Sequence, residues 1–99
     1  MNNMQALMRE AQKMQKELQN TQKELENTEY EGRSSAVKVV LNGNKDLKSV
    51  TINKDFEIDG DFEMLEDMIL VAFKDASKKV DDDKNKKLSK YGSGLSGLM

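Results

Sequence analysis

Apolar residues recur along the first third of the chain at alternating steps of four and three. Met4, Leu7, Ala11, Met14, Leu18 and Leu25 form the series, Thr21 holds the place between Leu18 and Leu25, and Met8 widens the stripe near its start. Such spacing puts them on one face of an amphipathic helix, and no glycine or proline interrupts the run from Met1 to Thr28. At 1.5 Å per residue that helix reaches roughly 40 Å, longer than a domain of this size is wide, so part of it projects.

The period then changes. Tyr30, Gly32, Ser34 and Ser35 include turn formers that end the helix and leave a short strand around Glu29 to Arg33. Val37, Val39 and Leu41 alternate with Lys38, Val40 and Asn42, a β-branched run of period two. Asn42-Gly43-Asn44 supplies residues that tolerate the positive φ of a tight hairpin, and a second alternating segment follows from Leu47 to Ile52. The acidic connection from Asn53 to Gly60 tucks Phe56 and Ile58 back toward the core, and Asp59 or Asp61 caps a second helix.

In that helix Phe62, Leu65, Ile69, Ala72, Phe73, Ala76 and Val80 recur at helical spacing, and Met64, Met68 and Val71 broaden the apolar arc. The stripe is lost in Asp81-Asp82-Asp83-Lys84-Asn85-Lys86-Lys87, where the helix frays or continues as a solvated arm to about Leu88. Tyr91 to Met99 holds three glycines and two serines. The expectation is an α+β fold with a three-stranded antiparallel sheet, made of the hairpin plus the short strand, between two long helices. Residues 1–91 form one domain and 92–99 a flexible tail.

Composition narrows what this fold can do. Ninety-nine residues that are 36% apolar and 34% charged cannot build a large private core beneath two long helices, which points to a homodimer. The apolar positions of the hairpin, Val37, Val39, Leu41, Val50 and Ile52, are the expected dimer interface. With no cysteine and no histidine, the commonest general base and the commonest metal ligands are missing. Asp55, Glu57, Asp59 and Asp61 fit a calcium loop only approximately, no nucleophile has a neighbouring base, and the glycines near the end precede no helix. The expectation is a protein without enzymatic activity, metal, cofactor or small-molecule substrate. No apolar run is long enough to span a membrane and no signal sequence opens the chain, so a cytoplasmic protein is expected.

Net charge is −2, which by itself argues against a nucleic-acid partner, but its distribution reopens the question. Residues 61–83 carry three positive and eight negative side chains, whereas residues 84–99 carry four positive and none negative. Arg9, Lys13, Lys16 and Lys23 form one row on the first helix, and Glu10, Glu17 and Glu24 form another. The basic row is either a solvated coiled-coil exterior or a face for phosphates. Phe56, Phe62 and Phe73 lie in apolar patterns rather than as exposed rings for stacking bases, so the backbone of duplex DNA suits this chain better than a single strand. The candidate contacts are Arg9, Lys13, Lys16 and Lys23 on the first helix, and Lys78, Lys79, Lys84, Lys86, Lys87 and Lys90 on the second.

Met8-Arg9-Glu10-Ala11-Gln12-Lys13-Met14-Gln15, Val37-Lys38-Val39 with Asn42-Gly43, Glu63-Met64-Leu65-Glu66-Asp67-Met68-Ile69 and Ala72-Phe73-Lys74-Asp75-Ala76 resemble the YbaB/EbfC nucleoid-associated proteins in order and spacing over nearly the whole chain. The resemblance implies a bacterial cytoplasmic homodimer associated with the nucleoid, whose helices protrude like tweezers and hold duplex DNA without catalysis. It also implies a role in nucleoid organisation and gene regulation. The competing reading is a prefoldin-like coiled-coil chaperone or adaptor, since helix, hairpin and helix follow one another there too.

Overall fold

A long helix, three strands and a second long helix follow one another as the periodicity predicts. The computed structural model describes residues 3–56 and 61–91. Helix α1 spans Asn3–Asn27, strands β1, β2 and β3 span Glu29–Ser34, Val37–Asn42 and Leu47–Ile52, and helix α2 spans Phe62–Leu88, closed by a 3-10 turn at Ser89–Tyr91. The strands form one antiparallel sheet in the order β1-β2-β3. The expected tail at 92–99 and most of the acidic connection, including Glu57, Ile58, Asp59 and Gly60, lie outside the described residues.

Helix α2 lies across β1 and β2. Tyr30 pairs with Leu41, Gly32 with Val39 and Ser34 with Val37, so these residues share the face that the helix covers. Val37, Val39, Leu41, Ala72, Ala76 and Val80 are almost completely buried between the two layers. Gly32, inside the short strand expected at Glu29 to Arg33, sits in mid-strand under the helix. A Cβ there would run into the Ala72 carbonyl oxygen and the Ala76 backbone nitrogen. Absence of a side chain, together with two alanines above it, lets the backbone of α2 settle directly on β1.

Both turns assign positive φ to residues other than glycine. Ser35 adopts φ 51° in the two-residue β1–β2 link, and Lys45 adopts φ 63° in the β2–β3 loop. That second value corrects the expectation for Asn42-Gly43-Asn44. The Lys45 N–H donates to the Asn42 carbonyl at 2.9 Å, and the Asn42 side-chain oxygen accepts from the Asn44 and Asp46 N–H groups at 2.9 and 3.0 Å. Gly43 serves a different need: a Cβ there would strike the Leu25 carbonyl, so its bareness lets the loop back the last turn of α1. Past the loop the register shifts at Val40/Leu41, and Leu47 partners Leu41. This bulge returns Leu47 to the phase of Val50 and Ile52, which strict alternation from Leu47 could not do.

The amino end of α2 is capped by Asp61, whose side chain accepts from the Met64 N–H at 3.1 Å. Its far end neither frays nor points into solvent past Val80. The helix continues to Leu88, which is fully buried, and the acidic run before it is tied down. Asp81 pairs with Lys45 at 3.0 Å, while Asp83 accepts a 2.5 Å hydrogen bond from the Tyr30 hydroxyl and pairs with Lys87 at 3.3 Å. Residues that look like a solvated run therefore fasten α2 to the sheet.

Tyr30 and Asp83 tie stability to pH. Burial, and then the hydrogen bond and charge of Asp83, push the Tyr30 hydroxyl up to about 12. The Tyr30 hydrogen bond, followed by the Lys87 contacts, outweighs desolvation and holds the Asp83 carboxyl below its ordinary value. The raised tyrosine contributes stability that is complete below its ordinary value of 10.0 and is lost as pH climbs toward about 12. The depressed aspartate contributes stability present above its ordinary 3.8 and lost as pH falls through its lower folded value. Tyr30→Phe is expected to lower stability near neutral pH by about 1 kcal/mol, to abolish the alkaline loss assigned to Tyr30 and to shrink the acid one. Urea titrations of both proteins across pH measure this, and parallel stability curves at both extremes would contradict it.

Candidate nucleic-acid interface

The part of α1 that leaves the body is a bare helix. Residues 3–17 are all exposed, Leu18, Thr21 and Gln22 are half-buried, and Leu25 is buried at the root. The exposed stretch is roughly 22 Å long at 1.5 Å per residue, within a molecule whose longest dimension is 75 Å. Its root is held by several contacts. The Thr21 and Tyr91 hydroxyls lie 3.5 Å apart, the Thr28 hydroxyl donates to the Glu24 carbonyl at 2.6 Å, and the Gly43 loop abuts Leu25.

The ten cations expected to meet phosphate fall into two groups. Arg9, Lys13, Lys16 and Lys23 are exposed on α1, and none of them forms an ion pair among the described residues. On α2 and in the 3-10 turn that closes it, three cations are already engaged. Lys79 donates to the Glu31 carbonyl at 2.7 Å and pairs with Asp75 at 3.5 Å, Lys87 pairs with Asp83, and Lys90 lies 5.1 Å from the centre of the Tyr91 ring. Lys84 is half-buried in a hollow it shares with Gln22, Leu25, Glu26 and Asn44, while Lys78 and Lys86 are exposed. Moving an engaged lysine to a phosphate breaks its present pairing, so the α1 row is the better prepared of the two.

Asp75 shows how firmly the α2 side is organised around the sheet. It accepts the Arg33 backbone N–H at 3.1 Å, and this bond, with the nearby Lys79 and Lys78 charges, outweighs desolvation and holds its carboxyl below the ordinary range. On the face of the sheet turned away from α2, Glu31 pairs with Arg33 at 3.1 Å and Lys38 at 3.4 Å. Desolvation raises the Glu31 carboxyl less than these two cations lower it, so the net shift is downward. Register adds Val40, Ser49 and Thr51 to the same face. That face is mainly polar.

Part of the uncovered apolar surface lies beside α2. Helix α2 contacts β1 and β2 extensively, whereas every residue of β3 is exposed. Leu47, Val50 and Ile52 share the helix-side face with Leu41, Val39 and Val37, yet they remain 55%, 41% and 37% exposed. Phe62 and Phe73, also exposed, lie by helical spacing on the side of α2 away from Asp75 and Lys79, which reach β1. Of the five residues expected at a dimer interface, Val37, Val39 and Leu41 are enclosed in the chain's own core, and Val50 and Ile52 stay accessible. Leu47, outside the expected set, joins this face through the register shift at Val40/Leu41; a lone leucine out of phase after a hairpin loop is the sequence sign of such a bulge.

Among the described residues no group of three or more acidic side chains could hold a metal ion, and no helix is long and apolar enough to cross a membrane. Glu57 and Asp59 of the expected calcium loop are not described. The sequence matches the YbaB/EbfC DNA-binding family over residues 1–95. It is 41% identical to a nucleoid-associated protein of Ruminiclostridium cellulolyticum, over 97% of this chain and 85% of that one. A nucleoid-associated protein of Chloroflexus aurantiacus is 38% identical over 97% and 98% of the two chains. One from Finegoldia magna is 47% identical over 60 residues, which are 61% of this chain and 53% of the relative. The crystal structure of an uncharacterized Helicobacter pylori protein shares the fold, with a TM-score of 0.67 and 22% identity over 81% of this chain and 86% of that one.

Proposed function

This chain belongs to the YbaB/EbfC DNA-binding family, and we propose that it works as a homodimer whose free α1 arms hold the phosphate backbone of duplex DNA in the nucleoid. One observation carries the assignment to α1: Arg9, Lys13 and Lys16 on its exposed stretch, and Lys23 nearer the root, have no acidic partner among the described residues, while Lys79 and Lys87 on α2 are engaged at home. Contacts of this kind position a protein on DNA without reading its sequence, which suits organisation of the nucleoid and a general influence on genes. Lys78 and Lys86 are secondary contacts. No observation favours the chaperone reading, and α1 meets α2 near its root rather than running beside it as a coiled-coil pair.

The homodimer reading is supported by the bare strip of Leu47, Val50 and Ile52 next to Phe62 and Phe73. Such a strip is costly to leave in water and lies at a strand edge that has no neighbouring strand among the described residues. A second copy applied there covers side chains that α2 cannot reach. Val50→Asp with Ile52→Asp is therefore expected to convert the dimer to a folded monomer in sedimentation equilibrium, since neither residue belongs to the enclosed core. The unfolding midpoint of the unaltered protein should rise with its concentration. A dimer that survives both substitutions places the interface elsewhere.

Replacing Lys13 and Lys16 together with alanine is expected to weaken duplex binding about equally across sequences. It should flatten the dependence of log affinity on log salt by about 0.9 for each phosphate no longer neutralised. Both positions are exposed and alanine favours helix, so the fold should be unaffected. Glu10→Gln with Glu17→Gln, which removes nearby negative charge, should leave binding equal or tighter. Fluorescence anisotropy on two unrelated duplexes over a salt series decides. A folded, dimeric double-lysine variant with unchanged affinity and slope moves the DNA-binding role to Lys78, Lys86 and their neighbours on α2.

A further inference from the structure

Arg33, Lys38 and Thr51 stand side by side across the three strands. Register pairs Arg33 with Lys38 and Lys38 with Thr51, and all three lie on the face of the sheet turned away from α2. Two cations directly opposite each other weaken a sheet unless an anion lies close to both. Glu31 supplies one, 3.1 Å from Arg33 and 3.4 Å from Lys38. A single carboxylate offsets one of the two charges, so the row keeps a positive surplus.

This surplus borders a hollow of about 230 Å³ beside the β1–β2 link. Besides Arg33 and Lys38, its polar lining is Ser35, Thr51 and Asn53, and no acidic side chain takes part. The Asn53 side-chain oxygen already accepts the Asp55 N–H at 3.0 Å, which leaves the NH2 group of that side chain as a donor. Arg33 gives one guanidinium nitrogen to Glu31, and its side chain remains 67% exposed. Two cations, two hydroxyls and an amide donor around one small space make a donor set for the oxygens of a phosphate group.

We infer that this hollow takes a backbone phosphate of a second DNA duplex, so that one protein joins two duplexes. It lies at the other end of the sheet from the root of α1, where Glu29 meets Asn42 and Leu25 backs Gly43. Roughly 15 Å of helix root and about 17 Å of strand part it from the exposed arm, so a duplex held along residues 3–17 leaves it free. Val50 and Ile52 face the opposite side of the sheet from Thr51, so the proposed dimer interface leaves it open as well. The inference rests on the DNA reading above for its ligand and adds to it a bridge between duplexes. A free phosphorylated small molecule offers the same chemistry, and the test separates the two sources.

Beads carrying one duplex are mixed with the protein and then with a fluorescent duplex free in solution. The unaltered protein is expected to retain the free duplex on the beads. Arg33→Gln with Lys38→Gln should cut that capture roughly tenfold, with binding of a single duplex, read by anisotropy, little changed. Arg33→Gln alone, at an exposed position, should give a milder loss and keeps the test valid if the double variant folds poorly. Lys48→Gln with Lys54→Gln removes equal charge from exposed positions outside the hollow and should leave capture intact. Equal loss from the two pairs, or no capture by a protein that binds a single duplex, would overturn the second site and leave the DNA reading standing. Absence of all duplex binding would overturn both. Inorganic phosphate, titrated at constant ionic strength, supplies the remaining arm. Tight binding of it that shifts the amide resonances of residues 33–38, without duplex capture, would overturn the second duplex as occupant in favour of a free phosphorylated ligand.

Discussion

The contact of the α2 backbone with β1 at Gly32 sets the position of nearly everything else. Because Ala72 and Ala76 meet a residue without a side chain, the helix lies close to the sheet and directly over β1 and β2. One helix set this close is too narrow to shelter three strands, and the third is left out. The exposed Leu47, Val50 and Ile52 follow from that placement as much as from their own hydrophobicity. Further along, the same seat carries Asp83 to Tyr30 and Asp81 to Lys45, and it brings Tyr91 beside Thr21 at the root of α1.

The placement also divides the charges. Cations on α2 lie within reach of the sheet and of acids one helical turn away, so Lys79 and Lys87 are drawn into pairs that hold the body together. Arg9, Lys13 and Lys16 on α1 stand beyond the body. Glu10 and Glu17 lie on the same helix, yet no bridge forms from them to the basic row among the described residues. The division bears on how a chain with a net charge of −2 can serve a polyanion: α1 balances four cations against four acids, and the acidic excess of residues 61–83, three positive against eight negative, lies on α2 and its cap.

Much of this is legible from periodicity. The stripe from Met4 to Leu25 announces α1, and the alternation of Val37, Val39 and Leu41 announces β2. Local chemistry likewise narrows the cap of α2 to Asp59 or Asp61, and Asp61 takes the place. What sequence cannot supply is the partner of each face. Val37, Val39 and Leu41 read equally well as core or interface until α2 is placed over them, and the reason for a glycine at position 32 of β1 is hidden until Ala72 is seen above it. Leu88 reads as the end of a solvated run because its burial depends on contacts remote in sequence. Among the basic residues, spacing alone gives Lys16 and Lys79 the same standing; the Glu31 carbonyl and Asp75 separate them.

In the proposed assembly the body joins copies through the strip at β3 while the basic row of α1 meets DNA. Amide hydrogen exchange of the dimer, with and without duplex DNA at low salt, tests both halves together. Without DNA the amides of Leu47–Ile52 should already exchange slowly, despite their exposure within a single chain, and adding DNA should leave them unchanged. Amides of residues 3–17 should slow markedly when DNA is added. Slowing confined to residues 78–90, or fast exchange throughout β3 in the DNA-free protein, would contradict it.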